Sequence, residues 1–233
     1  MIWCCGMYAS GSTWLYNATR AAGVAAGVPV EARYVETYRA VQGLRRSEVT
    51  YVVKSHALEP RASRMMGQRA SKILLTIRDP RDCIVSIMEH MGLGFEAAFV
   101  MVTETAAYVA ARARDPRALL LRYESGFIDD PATFDILAGV FDKTVDEATR
   151  ARLFAATRRA VIEAKIAKLE ALATTVTDYR TGDVVDLDTQ WHRHHAHRTG
   201  EVGRWRRRLL PRHVRALESA LGGWMAGFGY EEV

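Results

Sequence analysis

Residues 6–14, Gly-Met-Tyr-Ala-Ser-Gly-Ser-Thr-Trp, constrain this chain more than any other stretch. A short apolar strand, Ile2 to Cys5, runs into a small, hydroxyl-rich turn that opens an apolar-periodic helix from Thr13 to Ala22. A strand, a tight turn and a helix in that order build a concave nest of backbone N–H groups. Glycine lets the chain wrap closely, and the helix N-terminus adds a positive partial charge. A phosphate-bearing ligand is the expected occupant. The Gly-Lys-Ser/Thr of a nucleoside-triphosphate P-loop is missing, because Gly11 is followed by Ser12 and Thr13.

Residues 73–90 extend the pattern. Ile73 to Ile77 read as a buried strand. Asp79 reads as an N-cap, and Pro80 fits the first helical position, where a missing N–H costs nothing. The spacing predicts a helix from Pro80 to His90. Arg78 leaves the strand's carboxyl end and Ser86 lies two turns into the helix, so both face the crevice where open α/β sheets bind ligands. An arginine there can fork onto a phosphate while the serine adds a hydroxyl.

With these residues in place, the chain resembles the PAPS-dependent sulfotransferases, which move a sulfuryl group from 3′-phosphoadenosine 5′-phosphosulfate (PAPS) to an acceptor. The resemblance implies that Ser10, Gly11, Ser12 and Thr13 hold the 5′-phosphosulfate, and that Trp14 stacks on adenine. It also implies that Arg78 and Ser86 hold the 3′-phosphate. The family's Leu-Arg-Tyr-Glu segment falls on Leu121 to Glu124, with Tyr123 beside adenine. Its late Arg-x-Gly-x-x-Gly-x-Trp loop falls on Arg198, Thr199, Gly200, Gly203 and Trp205, and implies a further 3′-phosphate contact from Arg198. Its Lys-Thr/Ser-His segment matches Lys54-Ser55-His56, which makes Lys54 the cation at the phosphosulfate and His56 the base for the acceptor hydroxyl. These matches run in family order from residue 6 to residue 208. One position departs from the pattern: the family's lysine or arginine before the loop serine is Ala9 here. A cation at that point stabilises charge on the leaving phosphate. Its loss leaves Lys54 to act alone, or leaves a module that binds PAP or PAPS without efficient turnover. A small-molecule P-loop kinase is a third reading, opposed by the missing loop lysine.

Strands at Ile2 to Cys5, Tyr51 to Lys54, Ile73 to Ile77 and Leu119 to Arg122 alternate with helical stretches, among them Phe95 to Arg114 and much of Asp130 to Ala173. This alternation predicts a three-layer α/β/α sandwich with a central parallel sheet, similar to the P-loop NTPases. Residues 1–233 are expected to form a single domain, with ample length for one core. Lys54 and His56 share a face while the chain stays extended. The polar stretch 174–192 reads as a lid loop.

Hydrophobic residues make up 49 % of the chain, which excludes a disordered protein. No apolar run reaches the roughly 18–20 residues of a membrane span. The first strand starts without a charged leader, and three cysteines make no disulfide framework, so a cytoplasmic protein with reduced thiols is expected. Eight arginines and one glutamate lie between His192 and Arg215, a concentration that exceeds the whole net charge of +5. Arg204, Arg208, Arg212 and Arg215 recur at helical spacing and read as a solvated face. Basic residues interleaved with aromatics do not continue outside this segment, so nucleic-acid binding is not expected.

The cluster His192-x-His194-His195-x-His197 raises metal binding, but no acidic or cysteine spacing completes a closed site, and no metal is expected. These rings read as lining the loop that leads to Arg198. Gly92-x-Gly94-x-x-Ala97 follows a helix rather than a strand and is no dinucleotide fingerprint. Asp79 and Glu124 read as braces for site arginines, and Trp205 as either core or ligand contact. The acceptor, a small molecule or carbohydrate, is expected to meet residues within 31–48, 91–112 and 174–196. Glu31, Arg33 and His90 suit a polar acceptor, and Tyr34, Tyr38 and Phe95 an aromatic one. No feature specifies an oligomeric state.

Overall fold

The computed structural model describes residues 1–44, 48–178, 182–195 and 200–230. Its centre is a five-stranded parallel sheet: β1 (Ile2–Gly6), β2 (Val30–Tyr34), β3 (Thr50–Lys54), β4 (Lys72–Ile77) and β5 (Ala118–Arg122), in the order β2-β3-β1-β4-β5. β1 alternates strictly. Ile2 and Cys4 face one helical layer, Trp3 and Cys5 the other. All are buried, as a parallel strand covered on both faces requires.

One layer contains α1 (Ser12–Ala25), α6 (Thr133–Gly139) and α7 (Glu147–Thr157), packed through Leu15, Phe134 and Leu153. The other contains α2 (Tyr38–Gly43), α3 (Pro60–Arg69), α4 (Pro80–Met91), α5 (Phe95–Ala113) and α10 (Pro211–Gly227), with Met66, Ile84, Val102 and Leu217 in its core. Between them in sequence lie α8 (Arg159–Ile166), a small antiparallel pair β6 (Thr175–Thr177) and β7 (Val184–Asp186), and the short α9 (Trp205–Arg208). The fold is the expected three-layer α/β sandwich. Among the described residues, no helix is long and apolar enough to cross a membrane.

Local chemistry accounts for the element boundaries. The Asp79 carboxylate caps α4 by accepting the Arg81 N–H at 2.9 Å, Pro80 takes the first position, and Gly92 ends the helix at φ 66°. β2 departs from the sequence expectation, which left residues 31–48 without a strand. It is an edge strand paired with β3, in which Glu31 and Arg33 alternate with Val30, Ala32 and Tyr34, a five-residue alternation that the expected strands omit. The helical stretch expected from Asp130 to Ala173 is divided. Asp142 adopts φ 56° after α6, and Arg158 is extended between α7 and α8. The described part of the polar 174–192 stretch, expected as a lid loop, holds the antiparallel pair β6–β7. Cys4, Cys5 and Cys83 are free and buried. Burial pushes the Cys4 thiol up to about 12 and raises Cys5 and Cys83 as well, so all three remain protonated at neutral pH.

β1 lies where the topology reverses, with β3 on one side and β4 on the other. The segments leaving β1, β3, β4 and β5 therefore gather at one edge, the position where open α/β sheets bind ligands.

Candidate functional site

Those segments line a cavity of about 750 Å³. Its floor is the turn after β1. Two of its residues take the left-handed backbone, Ala9 at φ 60° and Gly11 at φ 89°. Gly11 has a steric reason as well: a Cβ there would sit 3.0 Å from Ile128 Cδ1 and 3.2 Å from the Phe127 ring. The first bond of α1 runs from Leu15 N–H to the Gly11 carbonyl at 3.0 Å, so the helix itself leaves the N–H groups of residues 12–14 unbonded. Ser12, Thr13 and Trp14 line the cavity with them.

Ser10 behaves differently from the sequence expectation. Its hydroxyl bonds the Met7 carbonyl and Thr76 Oγ1, both at 2.6 Å, and the residue is fully buried outside the cavity lining. Its hydroxyl fastens the turn to β4. Trp14 is also mostly structural. Its indole N–H donates to the Thr157 carbonyl at 3.0 Å, and its ring packs against Phe127 and Phe134, leaving 4 % exposure. Tyr123 lies over the turn, 3.6 Å from the point a Gly11 Cβ would occupy.

Lys54 and His56 lie side by side on another wall. Lys54 Nζ is 3.4 Å from His56 Nε2 and 5.0 Å from the Tyr34 ring centre, and the lysine is only 2 % exposed. Burial, opposed by Glu36, lowers the ammonium to about 8. The His56 ring stacks on Tyr8 at 4.2 Å. Loss of solvent, reinforced by the Lys54 charge, holds its pKa well below the usual histidine value. At neutral pH the pair is a cation beside a neutral imidazole. Ser55, between them, accepts the Trp3 indole N–H at 2.9 Å and locks the turn to the core.

Arg78 lines the same cavity. Its guanidinium lies 4.3 Å from the Tyr123 ring centre and donates to the Ala9 carbonyl at 3.2 Å and the Glu201 carbonyl at 2.9 Å. Its Nε is buried with no hydrogen-bond partner, on a residue that lines the cavity. Ser86, 4 % exposed, lines it too. Gly200 adopts φ 68°, and a Cβ on it would collide with the Arg159 guanidinium. Arg159 thus brings a further cation to the cavity, from a part of the chain where no motif marks it. Arg198 and Thr199, together with His197, lie outside the described residues.

Several expectations for supporting residues are corrected. Asp79 pairs with Arg81 at 2.9 Å, not with Arg78. Glu124 accepts the Asp79 N–H at 2.8 Å and the Tyr230 hydroxyl at 2.9 Å. The brace for the late glycine loop is Asp82, which accepts the N–H groups of Gly203 at 2.6 Å and Trp205 at 3.0 Å. Trp205 is core, 4 % exposed, with Arg81 stacked on it at 3.9 Å. Arg204 is not solvated: it is half-buried, pairs with Glu89 and lines the cavity, whereas Arg208, also paired with Glu89, is exposed. Of the acceptor candidates, Tyr34 and His90 line the cavity. Tyr38 instead lies under Arg61, Phe95 stacks on His213, and Glu31 and Arg33 pair with each other on β2.

Comparison with solved structures identifies the architecture. Mouse sulfotransferase SULT7A1 complexed with PAP superposes with a TM-score of 0.69 at 15 % identity, over 96 % of this chain and 83 % of that one. Retinol dehydratase complexed with androsterone and PAP, and with retinol and PAP, superposes with a TM-score of 0.63 in each case. Identities are 18 % and 17 %, over 96 % of this chain and 80 % of those. No protein-family model matches the sequence, and no curated protein matches it. At these identities the likeness speaks for the backbone, and this chain has the sulfotransferase fold.

Proposed function

We propose that this protein is a sulfotransferase that uses PAPS to sulfate a hydroxyl of a small-molecule or carbohydrate acceptor. The observation that carries the reading is the Lys54–His56 pair, a buried cation 3.4 Å from a neutral imidazole, on a cavity that Arg78 also lines. The residues fit the donor. The α1 N–H groups with Ser12 and Thr13 suit its 5′ end, and the orphaned Arg78 Nε with Ser86 suits its 3′-phosphate. Tyr123, with Trp14 at the cavity wall, is left for adenine, and Gly200 lies at the 3′-phosphate end; Arg198 and Thr199 are assigned to the same phosphate by the resemblance alone.

When bound, PAPS supplies an activated sulfuryl group. His56, in its base form, accepts the acceptor's proton and orients the oxygen. Lys54 supplies positive charge where the leaving phosphate gathers negative charge, a preorganised electrostatic contribution. Burial gives that charge a low-dielectric setting, and it also keeps His56 in its base form. A second reading rests on Ala9, which leaves the turn without its own cation: the protein then binds PAP or PAPS and turns over poorly. Incubation with PAPS and a panel of hydroxylated acceptors, with release of PAP measured, separates the two. Acceptor-dependent release supports the enzyme. Tight PAP binding with no release from any acceptor supports the binding module.

A further inference from the structure

A second group of side chains lines the same cavity and has no part in the mechanism above. Asp183 immediately precedes β7. His192 bridges antiparallel to Val185 within β7, and His194 follows in a short 3-10 turn, Arg193–His195. The backbone bridge therefore fixes the histidine segment against the hairpin and brings a carboxylate to two imidazoles. His192 Nδ1 lies 3.1 Å from Asp183 Oδ2, and His194 Nδ1 contacts the same oxygen. One ligand atom from each of the three residues lies within 4.8 Å of the others, and all three side chains reach the cavity. Their side-chain exposures of 13 %, 24 % and 15 % place them at its wall rather than on open surface.

We infer that Asp183, His192 and His194 form a divalent-metal site on the cavity wall, suited to zinc and ions like it. The donor set is two imidazole nitrogens and one carboxylate oxygen, which favours zinc or related first-row ions over magnesium or calcium. On a tetrahedral ion with bonds of about 2.0–2.1 Å, neighbouring donor atoms lie about 3.3 Å apart, and the 3.1 Å between His192 Nδ1 and Asp183 Oδ2 is close to that edge. Both histidines direct the same ring nitrogen, Nδ1, at one oxygen. Three protein ligands leave a fourth position open to the cavity, where a water or an acceptor oxygen can sit. The histidine spacing alone lacks a carboxylate; Asp183 meets the cluster because the turn after β7 folds His192 back against Val185. The site also pins the hairpin to the segment leading toward the glycine turn at Gly200.

The inference does not depend on sulfuryl transfer, because ion binding is measured with neither donor nor acceptor present. Metal-stripped full-length protein is titrated with Zn²⁺ by calorimetry and with Co²⁺ by visible absorption. One equivalent of either ion should bind, with the Co²⁺ bands of a four-coordinate site. Asp183→Asn and His192→Ala should each weaken binding at least about tenfold, while His213→Ala, a histidine stacked on Phe95 away from the cluster, leaves it unchanged. Circular dichroism establishes that each variant is folded. X-ray absorption on the zinc-loaded wild type gives an answer even where a variant is not folded, and should show two imidazoles bound to the metal. Failure to bind one equivalent, affinity unchanged in both cluster variants, or a spectrum lacking two imidazoles would overturn the site.

Discussion

Lys54 Nζ and His56 Nε2 approach to 3.4 Å from residues two apart, and the same burial lowers the proton affinity of both. That relation sets the pH at which the proposed chemistry runs. His56 is lowered well below the usual histidine value, so it stays neutral through pH 6.5. Lys54 loses its proton near about 8 instead of 10.5. The profile of kcat/KM, which reports the free enzyme, should be flat through pH 6.5 and fall on the alkaline side through about pH 8. An acidic limb centred at 6.5 or higher, or an alkaline limb near 10, contradicts this assignment.

A buried ammonium whose folded pKa is depressed works against the fold while it is charged. The unfolded chain binds the Lys54 proton more tightly, so its contribution to stability rises with pH between about 8 and 10.5. At pH 7 the full cost is present. Lys54→Met should therefore raise the melting temperature of the ligand-free protein at pH 7 while abolishing turnover. The gap between variant and wild type should narrow as pH rises from 8 to 10.5. Scanning calorimetry at several pH values checks both signs, and a lower melting temperature for the variant would show that Lys54 stabilises the fold through its contacts.

Gly11 carries both a left-handed backbone and a contact surface that excludes a methyl group. Gly11→Ala should lose roughly 1–2 kcal/mol from the left-handed conformation alone, measured by urea unfolding. It should also weaken PAP binding more than a remote glycine change such as Gly67→Ala, where a Cβ meets nothing within 4 Å. Equal effects at the two positions would show that the turn geometry is not under this constraint.

Ala9 lines the cavity and holds Arg78 through its carbonyl. Because φ is already 60° with an alanine in place, a lysine adds little backbone strain and projects a cation toward the donor. Ala9→Lys should raise turnover, with an upper scale of about 2.7–4 kcal/mol, the measured worth of one oxyanion donor. Unchanged or lower turnover with PAP affinity intact would mean that leaving-group stabilisation is complete without it.

The local features of this fold were legible in its sequence. Asp79 and Pro80 announce α4, and the run of β-formers from Ile73 to Ile77 announces a buried strand. Contacts set by distant chain segments were not. Asp82 reaches Gly203 and Trp205 across more than a hundred residues, and the Arg159 guanidinium meets Gly200 from another helix. Neither relation has a spacing to read. Ser10 is a subtler case. Its position in a hydroxyl-rich turn was plain, but the Thr76 hydroxyl on β4 decides which way its own hydroxyl points. β2 escaped although Val30, Ala32 and Tyr34 alternate with Glu31 and Arg33, because five residues with small Ala32 at the centre make a weak strand signal. The Asp183 carboxylate was hidden because its partners follow only after the turn beyond β7 reverses the chain.

The central claim is tested most directly by calorimetric titration of wild type and Arg78→Ala with PAP and with AMP, which differ by the 3′-phosphate. The wild type should prefer PAP strongly, since each charge-assisted bond to that phosphate contributes on the order of 1.5–3 kcal/mol. Arg78→Ala should keep its fold and lose most of the preference. Equal affinity of the wild type for PAP and AMP would contradict the PAPS-dependent reading.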